Sequence, residues 1–316
     1  SSIDDVMNEA EKAVFNVSER RLKHDLQPIS AVLSDYYDRI DELAKHPDEI
    51  HGVPTGFIDL DRLLTGLQPS DLLIIAGRPG QGKTGFLLSI AKNAALTHKK
   101  HVAIFSLEMS NEQVVQRLIA QTTEISSQRL RNGKLLESEW PLFTHAVEVL
   151  SDTHIYLDDT PAITPLQLRT KCRRLHMEFG IDLIIIDYLQ LMGGDSRNDN
   201  RVQEVSHISR SLKVLARELN VPVLTAAQLS RAVEQRTDKK PVLSDLRESG
   251  SLEQDADIVM FIYRPDEYEK DSDKSNITKI VVAKHRNGPV GEIDLIFRGE
   301  LRRFENATTK VFNPNQ

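Results

Sequence analysis

The 316-residue sequence predicts an α/β fold with a mostly parallel central sheet, and three observations lead to this prediction. From Leu72 onward, short runs rich in β-branched residues alternate with helical patterns, as in successive βαβ units. These runs are apolar at nearly every position, which is typical of strands that are buried on both faces of a parallel sheet. The last three runs are joined by short turns instead, which indicates an antiparallel extension at the C-terminal end.

The predicted strands and helices of this core follow one another in a regular order. Buried strands are expected at Leu72–Ala76, Val102–Leu107, Ile155–Leu157, Leu183–Ile186, Val223–Ala227 and Ile258–Ile262. Helices are expected between most of them, at about residues 84–97, 111–121, 137–150, 165–179 and 201–219. The antiparallel strands are expected at Ile277–Ala283, Glu292–Phe297 and Leu301–Phe304. This order implies right-handed crossovers and a doubly wound sheet.

An N-terminal helical appendage is predicted before this core. Apolar residues recur at helical spacing in Ile3–Val17 and again from about Pro28 to Lys45, with a polar stretch between the two segments. We therefore expect an N-terminal helix region at residues 1–25, a helical connection at 26–49 and the core domain at 50–316.

Composition excludes several classes of protein. No apolar run reaches the ~20 residues of a membrane span, so we expect no membrane partner. Cys172 is the only cysteine, which excludes an intramolecular disulfide and a cysteine zinc site and favours a cytoplasmic setting. The net charge of −7 argues against wrapping of nucleic acid around the outer surface, so any such contact must come from particular loops. The chain begins with Ser and shows no signal-peptide pattern, and we expect it to be a piece of a longer protein.

A phosphate-binding motif follows the first core strand. The pattern G-x-x-x-x-G-K-[ST] is matched by Gly77-Arg78-Pro79-Gly80-Gln81-Gly82-Lys83-Thr84, with Gly85 next in the helical pattern. Glycines let backbone N–H groups turn around phosphate oxygens, and a helix N-terminus adds a favourable dipole. Lys83 is expected to reach the β- and γ-phosphates of ATP, and the Thr84 hydroxyl is expected to bind Mg²⁺. A plain glycine-rich turn before a helix is the alternative.

Three other polar residues directly follow predicted strands. Asp187 is expected to hold the Mg²⁺ shell. Glu108 is expected to orient the attacking water, and its alternative role is to cap the helix that begins near Asn111. Gln228 is expected to sense the γ-phosphate, and its alternative is an ordinary polar residue at a strand exit.

Short motifs occur in a recognisable order over about residues 50–305. They are Gly52–Phe57, Leu60-Asp61, Gly66-Leu67, Ser106–Ser110, Ile186–Leu191, Asp245–Gly250 and Lys284–Pro289. The first three resemble the beginning of the RecA-like ATPase core. Together with the others they resemble the C-terminal motor domain of bacterial replicative DNA helicases of the DnaB type, and residues 1–25 resemble the linker helix of that family.

This resemblance implies a homohexameric ring that encircles single-stranded DNA, moves along it by ATP hydrolysis and unwinds duplex DNA. It also implies that Lys284 and Arg286 reach the nucleotide of a neighbouring subunit, with Arg286 as an arginine finger. Arg247, Glu248 and Gly250 would lie on a loop that touches the DNA backbone. A helicase loader and primase are implied as partners of the full-length protein.

The two cations Lys284 and Arg286 alternate around His285 at the end of a predicted strand. In extended geometry both side chains project from the same face, where they repel each other unless an anion lies nearby. A neighbour's γ-phosphate would be such an anion. The alternative is that both residues bind carboxylates of their own subunit.

Two segments lack periodicity and are candidates for a DNA channel, Gly193–Asn200 and Leu229–Gly250. The second carries the basic residues Arg231, Arg236, Lys239, Lys240 and Arg247 together with four acids. Neither segment has aromatic platforms for base stacking, which favours contact with the DNA backbone without sequence preference. Solvated surface loops are the alternative.

Other functions fit the motifs less closely. A RecA-type recombinase shares the core, but Arg247–Gly250 and Lys284–Pro289 fit the helicase better. A clock-type regulatory ATPase would hydrolyse ATP in a ring without unwinding DNA, and ATPase activity stimulated by single-stranded DNA would separate it from a helicase. An ATP-binding scaffold without motor action is disfavoured by the intact Glu108 and Asp187.

Overall fold

A computed structural model describes most of the chain, which divides into two units, Ser1–Glu49 and Ile50–Gln316. The described residues are 28–45, 49–193, 201–230, 233, 236, 238–249, 251–265 and 276–307, without the side chains of 35, 42 and 247–249. The predicted helix Ile3–Val17, with the rest of the region 1–25, lies outside them.

Helix α1 forms the described part of the first unit and spans Ile29–Lys45, in agreement with the predicted helix. Lys45 pairs with Asp41 one turn earlier, at 2.9 Å. Large apolar side chains of this helix are exposed, namely those of Ile29, Val32, Leu33, Tyr36, Tyr37 and Ile40.

The second unit is built on a single sheet, for which the described residues give nine strands in the order β3-β2-β4-β5-β1-β6-β7-β8-β9. The strands are β1 Leu72–Gly77, β2 Val102–Ser106, β3 Ile155–Asp158, β4 Leu183–Asp187, β5 Val223–Gln228, β6 Ile258–Tyr263, β7 Ile277–His285, β8 Gly291–Arg298 and β9 Arg303–Asn306. Neighbours from β3 to β6 are parallel, and those from β6 to β9 are antiparallel. The predicted fold class is thereby confirmed.

Helices cover both faces of this sheet. They are α2 Ile58–Leu64, α3 Lys83–His98, α4 Asn111–Thr122, α5 Ser127–Asn132, α6 Trp140–Ser151, α7 Pro165–Phe179, α8 Arg201–Leu219 and α9 Leu252–Asp255, with 3₁₀ turns at Glu137–Glu139, Leu189–Leu191 and Leu243–Ser249. The five predicted core helices are confirmed to within about three residues. Helices α2, α5 and α9 were not predicted, because helices of four to seven residues are too short to show a helical period.

The last strand lies two residues later than the prediction of Leu301–Phe304. Leu301 N donates to Arg298 O and Arg302 N donates to Gly299 O, so the segment 299–302 forms a turn. Pairing with β8 therefore begins only at Arg303, opposite Arg298.

Side chains of the parallel strands are buried on both faces, as the unbroken apolar runs predict. Leu73 and Ile75 belong to a core cluster with Phe86 of α3. Ile74, between them in sequence, belongs to the cluster of the opposite face with Val205 of α8. Alternate residues of one strand thus hold helices on opposite sides of the sheet.

A buried carboxylate organises the segment that leads into β1. Asp61 accepts hydrogen bonds from Thr55 N at 2.8 Å, Thr55 Oγ1 at 2.8 Å and Gly56 N at 3.0 Å. Asn93 of α3 donates to Thr55 O at 3.0 Å, and Val53 forms an isolated bridge with Leu67. These contacts hold together the short motifs that precede the phosphate-binding sequence.

We expect Asp61→Ala to lower the free energy of unfolding by roughly 2–4 kcal/mol, because three donors lose their acceptor in a buried site. Urea denaturation measures this change. Asp59→Ala is the matched control on the same helix, since the side chain of Asp59 is 44% exposed and accepts from Arg62 at 3.2 Å. Equal losses in the two variants would contradict the assigned role of Asp61.

Candidate nucleotide site

The carboxyl ends of four parallel strands meet at one edge of the sheet. Gly77 at the end of β1 pairs with Gln228 at the end of β5, and Ser106 at the end of β2 pairs with Asp187 at the end of β4. Open α/β sheets bind ligands at this edge. Strand register therefore brings the predicted residues of the phosphate motif together with Glu108, Asp187 and Gln228.

The phosphate-binding sequence forms a loop between β1 and α3. Gly82, the residue before α3, has φ +95°, and a Cβ there would lie 3.0 Å from the Phe304 ring. Lys83 begins α3, and its ammonium donates to the carbonyls of Gly77 at 2.8 Å and Arg78 at 3.1 Å. Lys83 thus lies across the mouth of its own loop, where its charge faces the space that phosphates would fill.

Burial lowers the pKa of Lys83 to about 8, and the charges of Asp187 and Glu108 oppose this shift.

Two other residues of the phosphate motif form hydrogen bonds that hold the loop in place. The buried Arg78 donates to Leu229 O at 2.9 Å, and the buried Gln81 accepts from Arg264 N at 3.0 Å.

Thr84 and Asp187 form the polar centre of the site. Thr84 Oγ1 donates to Asp187 Oδ2 at 2.6 Å, and Asp187 is only 5% exposed. Burial raises the pKa of the Asp187 carboxyl, while the hydrogen bond from Thr84 opposes the rise. A hydroxyl and a carboxylate are oxygen ligands of the kind that Mg²⁺ prefers.

These oxygens fit a magnesium ion that arrives with phosphates. Among the described residues, no group of three or more His, Cys, Asp and Glu side chains could hold a metal ion by itself. Mg²⁺ usually keeps several waters and binds substrate phosphates, so one or two protein oxygens suffice.

Glu108 follows β2 on a short loop that its neighbours hold in place. Ser106 Oγ donates to Met109 O at 2.8 Å, and Leu107 N donates to Asp187 O at 2.8 Å. Ser110 is the N-cap of α4, in a capping box with Gln113. The alternative role of Glu108 as the helix cap is therefore wrong, and its side chain lines the pocket instead.

The pocket has more charged residues than the sequence indicated. Its lining consists of Pro79, Gly80, Gly82, Lys83, Thr84, Gly85, Glu108, Met109, Arg117, Asp187, Tyr188, Gln228, Phe297 and Arg302. Arg117 of α4 and Arg302 of the turn before β9 were missed, because neither follows a strand or belongs to a motif. Burial lowers the pKa of the Arg117 guanidinium, and the nearby charge of Arg302 adds to this effect.

Lys284 and Arg286 lie at the opposite end of the strands, where the parallel strands begin. His285 pairs with Ile258, and Ile258 pairs with Leu73 near the beginning of the parallel strands. At about 3.3 Å per residue, the two ends are roughly 15 Å apart along β1. The two cations are therefore remote from the nucleotide pocket of their own chain.

Both cations have partners within the chain. Lys284 Nζ donates to the carbonyls of Glu253 at 2.6 Å and Ala256 at 2.7 Å. Arg286 donates to Gln254 O at 3.2 Å, its Nε lies 3.6 Å from Asp257 Oδ1, and half of its side chain is exposed. Intramolecular partners thus exist, and the exposed half of Arg286 leaves its charge accessible.

The predicted DNA-contacting residues are only partly described. Arg231 and Gly250 lie outside the described residues, and of Arg247 and Glu248 only the backbone, in the 3₁₀ turn Leu243–Ser249, is described. Two other basic residues of this loop bind within the chain. Arg236 donates to Asp245 Oδ2 at 2.7 Å, and Lys240 pairs with Glu292.

Comparison with known proteins agrees with this geometry. The family model of the DnaB-like helicase C-terminal domain matches residues 52–306. The chain belongs to this family. The replicative DNA helicase DnaB of Geobacillus stearothermophilus is 52% identical over 305 residues, which cover 96% of this chain and 67% of that protein. The replicative DNA helicase DnaC of Bacillus subtilis is 51% identical with the same coverage.

Solved structures show the same fold. One solved ATPase domain superposes with a TM-score of 0.85 at 40% identity, over 90% of this chain and 100% of that chain. A DnaB-like replicative helicase, described with its interactions with primase, gives 0.81 at 36% identity over 96% and 76% of the two chains. The RadB recombinase, with a TM-score of 0.52 and 19% identity, shares the fold alone.

The family match favours the helicase over the recombinase and the clock-type ATPase.

No helix in the part of the chain that the structure describes combines the length and hydrophobicity that crossing a bilayer requires.

Proposed function

We propose that this chain is the motor of a replicative DNA helicase, which hydrolyses ATP with Mg²⁺ and moves along single-stranded DNA as a homohexameric ring. One observation carries the proposal. In a member of the DnaB-like helicase family, a single pocket gathers the phosphate loop, the Thr84–Asp187 pair and the carboxylate of Glu108.

Each residue of the pocket has a role in this proposal. The backbone N–H groups of Gly77–Gly85 and the ammonium of Lys83 bind the phosphates. Thr84 and Asp187 would hold the Mg²⁺, which would neutralise the negative charge that develops during phosphoryl transfer. Glu108 orients the attacking water and accepts its proton. Gln228 lies between the pocket and the loop that follows β5, and it reports the state of the γ-phosphate to that loop.

Arg286 completes the site of a neighbouring subunit in this proposal. It lies too far from its own pocket to act there, and its guanidinium is half exposed. Lys284 donates hydrogen bonds to backbone carbonyls of α9 and of the residue that follows it, and it thereby fixes the strand end from which Arg286 projects. A planar guanidinium suits the spread charge of a transferring phosphoryl group.

The DNA contacts and partners of the proposal come from the family. Arg231, Arg247, Glu248 and Gly250 contact the DNA backbone inside the ring. A helicase loader and primase act on the full-length protein, and primase interactions appear in the description of one related structure. The setting of this activity is the cytoplasm.

The proposal is tested by ATPase and strand-displacement assays on the same preparation. We expect single-stranded DNA to stimulate ATP hydrolysis and forked duplex DNA to be unwound, with both activities lost in Lys83→Ala because a phosphate-facing cation is removed. Forks with only a 5′ or only a 3′ tail are the substrate controls. ATP hydrolysis that ignores DNA would favour the regulatory ATPase, and strand pairing without unwinding would favour the recombinase.

Replacing Glu108 separates binding from hydrolysis. We expect Glu108→Gln to keep its affinity for ATP within about threefold while turnover falls by about 10²–10⁴, because shape is preserved and the base is lost. Equilibrium binding of a fluorescent nucleotide and steady-state ATPase assays measure the two effects. Glu112→Gln is the matched control, since Glu112 lies in the first turn of α4 and not in the pocket lining. A weaker affinity with normal turnover would make Glu108 a structural residue.

A mixing experiment tests the action of Arg286 on a neighbour. Arg286→Ala should lower turnover by about 10³-fold or more and leave nucleotide affinity within about tenfold. Mixed with Lys83→Ala subunits, it should regain some activity, because a subunit with Arg286 then lies beside an intact phosphate loop. Thermal unfolding of Arg286→Ala reports any loss of the contacts with Asp257. Full activity of the single variant would end this assignment.

A further inference from the structure

Arg302 enters the nucleotide pocket from a part of the chain that is remote in sequence. It belongs to the turn at residues 299–302, here called the Arg302 turn, which joins β8 to β9. Its side chain lines the pocket next to Gly82, Gly85 and Arg117. The pocket thus holds three cations, Lys83, Arg117 and Arg302, against two carboxylates. This excess of positive charge favours the binding of an anion.

The Arg302 turn lies directly against the first turn of α3. A Cβ on Gly85 would lie 2.7 Å from Arg302 O, so only glycine permits this approach. The backbone of Arg302 lies in the left-handed region with φ +52°, and its carbonyl contacts Gly85 of α3 and Gln121 of α4. Because Gly85 follows Thr84 in the phosphate motif, this contact joins the turn to the part of the loop that binds phosphates.

Gln121 of α4 bridges these two backbones. Its side chain is fully buried, and Nε2 donates both to Arg302 O at 2.7 Å and to Gly85 O at 3.1 Å. Its Oε1 accepts from Ser89 Oγ at 3.4 Å. The two carbonyls can only accept, so the amide atom that faces them is the nitrogen.

The bridge is reinforced by the cations around it. The backbone carbonyl of Gln121 accepts from Lys92 Nζ at 3.1 Å and from Arg303 Nη1 at 3.3 Å. Ser89 Oγ also accepts from Phe304 N at 3.3 Å, so α3 holds β9 as well. None of these contacts among the described residues uses the side chain of Arg302, which is exposed, and its charge acts on the guanidinium of Arg117 in the pocket lining.

We propose that Gln121 is a positioning residue that holds the Arg302 turn against the phosphate loop, so that the Arg302 guanidinium binds the phosphate chain of the nucleotide. This inference deepens the proposed function and rests on it. Arg302 binds the ligand directly, whereas Gln121 acts through the backbone carbonyls of Arg302 and Gly85. Both residues serve the contact between the Arg302 guanidinium and the phosphates, so removing either residue weakens that contact.

The first experiment removes the cation. Arg302→Gln keeps a long polar side chain and the same backbone demand, but it loses the charge. A hydrogen bond from a charged donor contributes about tenfold or more to affinity. We expect the Kd of a fluorescent ADP analogue and the KM for ATP to rise by about tenfold, with kcat changed by less than about threefold. Arg298→Gln is the matched control, because Arg298 lies on the same hairpin and binds Glu305 outside the pocket lining.

The second experiment removes the bridge. Gln121→Leu has a similar volume without donors, and we expect it to raise the KM by roughly fivefold. Combined with Arg302→Gln, it should add little further change, since the contact that it positions is already gone. Gln116→Leu is the matched control, because Gln116 lies on the same helix and donates to Ser127 O at 3.0 Å. Gln121→Glu keeps the shape, replaces the donor by an acceptor, and serves if Gln121→Leu does not fold.

The outcomes separate this inference from the proposed function. A wild-type chain that does not bind the ADP analogue would count against the nucleotide site itself. Nucleotide binding by the wild type with unchanged affinity in Arg302→Gln would overturn this inference alone. Losses that add in the double variant would overturn the positioning role of Gln121, because two residues that act through one contact cannot lose it twice.

Discussion

Parallel pairing of the central strands is the constraint on which the site depends. Because β2, β4, β5 and β1 run side by side in one direction, the residues that end them lie in a row at one edge of the sheet. The register places Gly77 beside Gln228 and Ser106 beside Asp187. The polar groups come from positions up to about 150 residues apart in sequence, yet each needs only to follow its strand to reach the pocket. Burial of both strand faces then fixes the register, because a slip would place Asp187 inside the core.

Residues that follow strands could be predicted from the sequence for this reason. An apolar run with a polar residue at its end is a local pattern, and it located Asp187, Glu108 and Gln228 without knowledge of the strand order. The phosphate loop was still easier to locate, since its glycines and its lysine belong to one continuous motif. The hydrogen bond between Thr84 and Asp187, 103 residues apart, was not visible as a pattern but follows from two local predictions at the same edge.

The residues that the sequence did not reveal come from elements without a local pattern. Arg117 lies on a helix face, and Arg302 lies in a turn that reaches the pocket only because β9 returns along α3. The turn of Arg302 is held by a hydrogen bond from Gln121, and these two residues are 181 positions apart in sequence. The partners of Lys284 escaped for a similar reason, since α9 has four residues and shows no helical period. The alternative of carboxylates in the same subunit fits the contact of Arg286 with Asp257, but the carbonyls that bind Lys284 were not expected.

The hairpin of β8 and β9 makes the C-terminal end of the fold part of its chemistry. Strand β9 is the last strand at one edge of the sheet, and edge strands at chain ends are ordinarily the first to fray. Here the Phe304 ring lies within about 6 Å of Phe86 and packs on Gly82, which lines the pocket, so fraying would disturb this wall of the pocket. Ligand and edge strand are thereby coupled, since a ligand that needs this wall also stabilises the strand against opening. The family match ends at residue 306, where β9 also ends, so the strand that carries Phe304 is the last one within the matched region.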